Sequence, residues 1–182
     1  KYGVDQTRNF LLKISPFEDG DFSESALVEN SNADLADALG NLVQRTLVMV
    51  EKYFNSGFPK PGSFNVKDKA LIASLNITDE VDRLMLDFQW NRALEKIFDS
   101  IRLCNMYVND EEPWKLATAD KERLAVVLYI LIEALRVFSI LLQPFIPSTA
   151  EKIACQIGQK LGRLKTAKFK RNTKGSISKP EI

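Results

Sequence analysis

Two polar side chains four residues apart, Asn41 and Arg45, form the pattern in this sequence best suited to specific recognition. They lie in the stretch 32–54, where apolar residues recur every three or four positions, as in an amphipathic helix. Both side chains leave the polar face of this helix, one turn apart. An amide beside a guanidinium with five donors can hydrogen-bond the edge of a nucleobase. The alternative is an ordinary solvated helix face. The same polar arc also carries Asp34, Asp37, Gln44 and Lys52.

Trp114 is the aromatic residue whose position is least explained by packing. It follows Pro113 in the polar stretch 109–119, where the apolar periodicity does not require a large side chain. Two interpretations are open: the ring plugs the side of the fold, or it is a platform on which an unpaired RNA base stacks. Such stacking is worth roughly 1–3 kcal/mol per base. Trp90 stands among apolar neighbours at a predicted helix start, and we expect it to belong to the core.

The chain lacks the residues on which most enzymatic mechanisms depend. It has no histidine, which removes the commonest general base and a common metal ligand. It also has no glycine-rich phosphate-binding loop. The acid pairs Asp19/Asp21 and Glu111/Glu112 fall in predicted loops and are expected to be solvated. We therefore expect no catalytic residue, no metal and no cofactor in this chain.

The cysteines and the hydropathy of the sequence indicate the cellular compartment in which the protein is expected. Cys104 and Cys155 are far apart and lack metal-ligand spacing, so we expect two small core residues in a reducing compartment. The sequence contains no run of 18 apolar residues, so we expect no membrane span. The first residues resemble neither a signal nor a transit peptide, and without an initiator Met we expect a piece of a longer chain. The expected location is the cytoplasm, with a mitochondrial origin left open.

Helical periodicity runs through most of the chain, and no segment alternates with a period of two. The fold class predicted is all-α, an antiparallel bundle of about five helices. Ser23 is a candidate N-cap, Gly40 a possible close-packing point, and Thr78 a possible cap within an irregular helix. The segment 121–142 is the most apolar and should be the central helix. The predicted helices cover 4–14, 24–54, 67–86, 90–108, 121–142 and 147–157.

Charge separates an acidic body from a basic end. Residues 152–182 contain nine Lys or Arg and one acid, which leaves 16 basic and 23 acidic residues, a net charge of −7, in the first 151. Such a body does not suit a protein that binds long runs of phosphate, so RNA would be held by a few specific contacts. We assign 23–158 to the helical domain and 159–182 to a basic tail. This tail is expected to be extended or mobile, either attracting phosphate or serving as a solvated linker.

Ordered sequence blocks resemble one known family. The chain contains, in order, KYGVDQTRNFLL, PFEDGDFSESAL, NADLADALGNLVQR, NMYVNDEEPWKLA and LLQPFIPSTAEKI. Together they resemble the methionyl-tRNA synthetases over residues 2–158. The similar part is the end of the stem-contact segment, here 1–22, followed by the α-helical anticodon-binding domain. Asp5 and Arg8 match the outer positions of the D-A-L-R signature of this enzyme class, whose middle reads Gln6-Thr7 here.

The resemblance implies a tRNA anticodon-binding site. In this family the Asn of L-G-N-L and the Arg four residues later contact the anticodon CAU, and the Trp of the P-W loop stacks on its first base. These positions are Asn41, Arg45 and Trp114. The pairing edge of cytosine offers an amino donor and two acceptors, which an Asn carbonyl and an Arg can satisfy. Many members have Asn where this chain has Asp37. Asp37 would accept from the cytosine amino group or hold Arg45 by a charge-assisted hydrogen bond.

The resemblance also implies a larger parent enzyme. The H-I-G-H and K-M-S-K-S catalytic motifs of the family are absent from this chain. The parent would join methionine to tRNA(Met) using ATP and Mg, and the catalytic domain of the same chain would be a partner. The fragment alone would supply recognition without catalysis. Two alternatives remain: the anticodon domain of another class I synthetase, or a helical scaffold that binds protein.

Overall fold

The described residues form a helical bundle. The computed structural model describes residues 2–17, 19–20, 22–171 and 173–178. In these residues the only strand-like pairing is an isolated bridge between Gly57 and Ser176, so the all-α prediction is confirmed. Short segments raise the number of described α-helices to nine. They are α1 (Val4–Leu11), α2 (Glu24–Asn30), α3 (Asn41–Phe54), α4 (Val66–Ser74), α5 (Thr78–Leu86), α6 (Trp90–Glu111), α7 (Pro113–Ala119), α8 (Lys121–Leu141) and α9 (Pro147–Gln156).

The helix α8 is the centre of the bundle, as the sequence predicts. All residues from Leu124 to Leu141 are buried, because α8 packs against α3, α4, α6, α7 and α9. It is long and apolar enough to cross a bilayer, but 94% of its apolar stretch is buried inside the protein. An apolar surface all round a helix is typical of a core position of this kind.

The helix predicted over 24–54 is continuous but changes its winding. Ser23 caps its start as predicted, since its hydroxyl accepts from the Ala26 amide at 3.1 Å. The middle third, Ser31–Gly40, is π-helical and joins α2 to α3. A Cβ at Gly40 would lie 2.9 Å from the Leu35 carbonyl oxygen, so the predicted close approach is to the helix's own backbone. Asp34, within this stretch, is buried, at 2% exposed, and is paired with Lys13. The prediction of a solvated Asp34 is therefore wrong.

The first helix is fastened to the corner between α8 and α9. Arg8 donates to the carbonyl oxygens of Phe145 and Pro144 at 2.8 and 2.7 Å. The Asp5 carboxylate accepts from the Thr149 amide at 2.6 Å. The two outer residues of the class signature thus hold α1 against the body. The helix ends at Leu11, three residues before the predicted end.

The basic segment after residue 158 lies along α8. It has little regular structure, as the lost periodicity predicts, but Ala167 and Ile177 are buried against the body. Arg136 donates to the Thr166 carbonyl oxygen at 3.1 Å, and Glu133 accepts from the Lys170 amide at 2.8 Å. The prediction of an extended or mobile tail is therefore wrong for the described part of this segment.

Several local predictions need correction. The irregularity near 75–77 is confirmed as a break between α4 and α5, but Ile77 occupies the N-cap position, and the Thr78 hydroxyl donates instead to the Ala167 carbonyl. Trp90 packs against the core as predicted. Cys104 is buried, and this burial raises the pKa of its thiol. Cys155 is exposed, contrary to the prediction.

Candidate functional site

Arg45 and Trp114, which the sequence places 69 residues apart, meet at the surface between α3 and α7. The Arg45 guanidinium carbon lies 5.4 Å from the centroid of the Trp114 ring, in a cation–π arrangement. Trp114 is 45% exposed, so its ring is not a plug in the side of the bundle. A large aromatic ring left this open beside a cation can stack on a planar ligand.

The pair depends on two helices being longer than predicted. The helix α6 continues to Glu111, and the stretch predicted as a loop with at most one turn at 113–117 forms α7. Trp114 is the second residue of α7, after Pro113, a residue favoured in the first turn. Asn109, near the end of α6, accepts from Arg45 Nη2 at 3.0 Å. The sequence predicts no role for Asn109, whose contact with Arg45 arises only because α6 reaches this far.

Asn41 lies one turn before Arg45 and is exposed, as predicted. It lines a cleft of about 720 Å³ between the long helix and α9. Asp37 and Gln44 lie on the same wall, and Thr149 and Lys152 come from α9. Arg45 instead reaches toward Asn109 and Trp114, so the two polar residues of the helix face point to neighbouring parts of one surface.

Asp37 is exposed on the wall of this cleft, one turn before Asn41. Its suggested hydrogen bond to Arg45 is not formed in the described structure, where Asn109 is the side-chain partner of that guanidinium. The role of Asp37 in anticodon binding stays a prediction.

A buried ionic cluster lies next to the α6–α7 corner, the point at which α6 ends and α7 begins. Arg123 binds both oxygens of Asp68 through Nη1 and Nη2, at 2.6 and 2.7 Å. Its Nε and Nη2 also contact Glu111 Oε2 at 2.9 and 2.7 Å. Tyr107 donates to Asp68 at 2.6 Å. The side chain of Glu111 is 10% exposed, so the prediction of a solvated acid is wrong at this position. Its neighbour Glu112 pairs with Lys115, Asp19 is exposed, and Asp21 lies outside the described residues.

The carboxyl group of Asp68 is held in its charged form. Burial by itself raises its pKa, but hydrogen bonds from Arg123, Tyr107 and the Asn65 amide outweigh this and hold the pKa below its usual value. Burial, followed by the bond to Asp68, raises the pKa of Tyr107, so the phenol stays protonated and donates. Asp68 and Arg123 therefore form an ion pair at neutral pH, to which Tyr107 donates as a neutral phenol.

We expect acid to remove the stability that this cluster provides. Because the pKa of Asp68 is lower in the folded state, the unfolded state binds more protons once the pH falls below about 4. Urea unfolding of the wild type and of Asp68→Asn between pH 7 and pH 3, followed by circular dichroism, tests this. The difference in the free energy of unfolding between the wild type and Asp68→Asn should be largest at pH 7. It should shrink as the pH falls below about 4 and through the lowered pKa that Asp68 has in the folded state. A constant difference over that range would contradict the assignment.

The described residues bring together no group of three or more His, Cys, Asp and Glu side chains that would hold a metal ion. The surface around Arg45 and Trp114 offers instead an aromatic face, a guanidinium and amide groups. These groups bind planar, hydrogen-bonding ligands such as nucleobases.

Two family models together match nearly the whole chain. Residues 58–173 match the model described as the anticodon binding domain of methionyl tRNA ligase. Residues 1–47 match the model for class I tRNA synthetases of the methionine type. The first match ends within α3, after Arg45, and the second begins beyond that helix, so the predicted site residues are drawn from both matched regions.

Curated relatives and solved structures point to the same family as the family models do. A methionine–tRNA ligase of Brucella suis is 43% identical over 155 residues, which is 84% of this chain and 30% of the relative. One from Caldanaerobacter subterraneus is 43% identical over 162 residues, which is 87% of this chain and 25% of the relative. The chain therefore spans less than a third of the length of these relatives.

The fold is shared with a crystal structure of the apo form of Mycobacterium tuberculosis methionyl-tRNA synthetase. The TM-score is 0.93 at 36% identity, covering 99% of this chain and 38% of that chain. The same enzyme bound by methionyl-adenylate gives a TM-score of 0.92 at 34% identity, covering 98% and 37%. With the family model matched over residues 58–173, this chain belongs to the family of the anticodon-binding domain of methionyl-tRNA ligase.

Proposed function

We propose that this chain recognises the anticodon loop of tRNA(Met), with Trp114 and Arg45 binding the first anticodon base. The observation that carries the proposal is the exposed pair itself, in which the Arg45 guanidinium lies 5.4 Å from the centre of the Trp114 ring. A base that stacks on the open part of the ring lies beside a guanidinium with donors to spare. Stacking provides affinity for any base, and the donors select among bases by their edges.

The hydrogen-bonding groups suit cytosine at this position. Arg45 uses one donor on Asn109, which leaves others for the N3 and O2 acceptors of the base. Asn41, one turn away on the same face, supplies an acceptor for the amino group. Uracil carries a donor at N3 and an acceptor at O4, so it would leave polar groups at the site unpaired. Asp37 is a further candidate acceptor, at the edge of the Asn41 cleft.

The basic segment after residue 158 provides a second kind of contact. Its exposed lysines and arginines lie on the surface of the body and would attract RNA phosphates without reading sequence. Lys152 on α9 adds a cation to the cleft that Asn41 lines. These contacts predict a salt-dependent component of binding on which the base preference is superimposed.

The relatives that match this chain support a proposal for the activity of the whole protein. We propose that a parent enzyme uses ATP and Mg to join methionine to tRNA(Met), in the cytoplasm, while this part identifies the tRNA. The catalytic domain of the same parent chain is then the second partner, after the tRNA.

The proposal is tested by titrating the chain with an anticodon stem-loop carrying CAU and with the same loop carrying UAU. Arg45→Ala is compared with Arg92→Ala, an exposed arginine on α6 bonded to Gln89. We expect the wild type and Arg92→Ala to prefer CAU, and Arg45→Ala to lose most of this preference. Each mismatched contact is worth roughly 1–3 kcal/mol, so the preference should lie between about 5-fold and 150-fold. Equal binding of both loops, disappearing as salt rises, would contradict the proposal and favour phosphate contacts or a protein scaffold.

A further inference from the structure

The corner that joins α6 to α7 carries both residues that surround Arg45. Asn109 lies two residues before the end of α6, and Trp114 lies three residues after Glu111, which ends that helix. The single linking residue, Glu112, has a left-handed backbone with φ of 44°, which is uncommon for a residue other than glycine. Any shift of Glu111 is therefore transmitted through one constrained residue to the helix that holds Trp114.

Glu111 is an unfavourable residue for the end of a helix unless it is neutralised. The partial negative charge at a helix C-terminus repels an acid, and α6 has no basic residue in its last turn. The compensating charge comes from α8, through Arg123 Nε and Nη2 at 2.9 and 2.7 Å. Lys67 is 4.0 Å from the other Glu111 oxygen. The end of α6 is thus held from outside its own helix.

Arg123 is itself held in one position. It also makes a two-point bond to Asp68, whose side chain is fully buried, and its Nη2 donates to the Tyr107 hydroxyl at 3.2 Å. Its backbone amide donates to Asp120, the N-cap of α8, at 2.9 Å. A planar guanidinium bound on two sides has little freedom, so it defines where the Glu111 carboxylate lies.

We propose that Glu111 and Arg123 are positioning residues for anticodon recognition, fixing the α6–α7 corner so that Asn109 and Trp114 hold Arg45 in its binding orientation. The inference rests on the proposed function. It differs from a general stabilising role, because it predicts a change at Trp114 and in base preference that other buried ion pairs do not produce.

The chain contains a matched control. Glu133 and Arg136 form a second buried pair, with both guanidinium–carboxylate distances at 3.0 Å. This pair lies further along α8 and holds the C-terminal segment, away from the α6–α7 corner. Replacing Glu133 with Gln therefore perturbs a buried ion pair of the same type without a contact to Asn109 or Trp114.

The test compares Glu111→Gln with Glu133→Gln in a Trp90→Phe background, which leaves Trp114 as the single tryptophan of the two in the sequence. Three quantities are measured: the free energy of unfolding in urea, acrylamide quenching of Trp114 without RNA, and the ratio of affinities for CAU and UAU loops. We expect both variants to be less stable. Only Glu111→Gln should raise the quenching of Trp114 and lower the affinity ratio toward one, by at most about tenfold, roughly the worth of one charged hydrogen bond.

Arg123→Lys is the second variant, because it keeps the charge but cannot bridge two acids with a planar fork. It should change quenching and base preference in the same direction as Glu111→Gln, which keeps the test informative if that variant unfolds. Unchanged quenching and an unchanged ratio in a folded corner variant, or equal changes in Glu133→Gln, would overturn the inference. If the parent background itself shows no preference for CAU, the proposed function fails. Quenching without RNA still decides whether the corner positions Trp114.

Discussion

Replacement of Arg136 by alanine is expected to lower the free energy of unfolding by about 3–5 kcal/mol, the usual effect of breaking a buried ion pair. Glu133 is fully buried and would keep only the Lys170 amide as a partner. The Thr166 and Lys168 carbonyl oxygens would also lose their Arg136 donor. Urea unfolding at pH 7, monitored by far-ultraviolet circular dichroism, measures the change.

Two further variants define the origin of that loss. Exchanging the pair for apolar residues, as in Glu133→Leu with Arg136→Met, removes the unpaired charge and should recover much of the stability. Lys96→Ala breaks an exposed pair with Glu80 and should change the stability by less than about 1 kcal/mol. An Arg136→Ala variant as stable as Lys96→Ala would show that the C-terminal segment does not depend on this contact.

The elements that were predictable are those whose signal is local. The apolar segment 121–142 predicts α8, and Ser23 predicts the start of the long helix. Asn41 and Arg45 needed only helical geometry to be placed on one face. Each of these features depends on residues within a few turns of one another.

The features that were missed depend on partners far away in the sequence. Regular helical geometry predicts Asp34 on the polar arc, whereas the structure pairs it with Lys13 of α1, 21 residues earlier in the chain. The ion pair between Asp68 and Arg123 joins residues 55 apart, and no sequence pattern links them. The sequence predicts a loop at Glu111 for the same reason, since the acid at the end of α6 is paired with Arg123 of α8.

The same distinction applies to the candidate site. Trp114 stands out in the sequence because local packing does not require it, but its approach to Arg45 appears only in three dimensions. Asn109 carried no signal of its own. The residues predicted from resemblance are thus brought to one surface by contacts that the sequence did not reveal, and their role in tRNA binding stays a prediction.

Replacement of Trp114 by alanine is expected to weaken binding of the CAU stem-loop by between about 5-fold and 150-fold. This range corresponds to the 1–3 kcal/mol that base stacking on an aromatic ring contributes. Stability should change little in comparison, because nearly half of the side chain is exposed. Fluorescence anisotropy of a labelled stem-loop measures affinity without relying on the tryptophan that has been removed.

Trp114→Phe and Phe88→Ala separate stacking from loss of apolar surface. The first keeps an aromatic face and should retain most of the affinity, whereas the second removes a more exposed ring, on the turn after α5, and should bind as the wild type does. Stacking accepts every base, so Trp114→Ala should lower the affinity for the CAU loop and for the UAU loop by similar factors. The ratio of the two affinities should change less than either affinity does. Arg45→Ala should do the reverse. If Trp114→Ala bound both loops with wild-type affinity, the ring would be a structural partner of Arg45, and base selection would have to come from Arg45 and Asn41 alone.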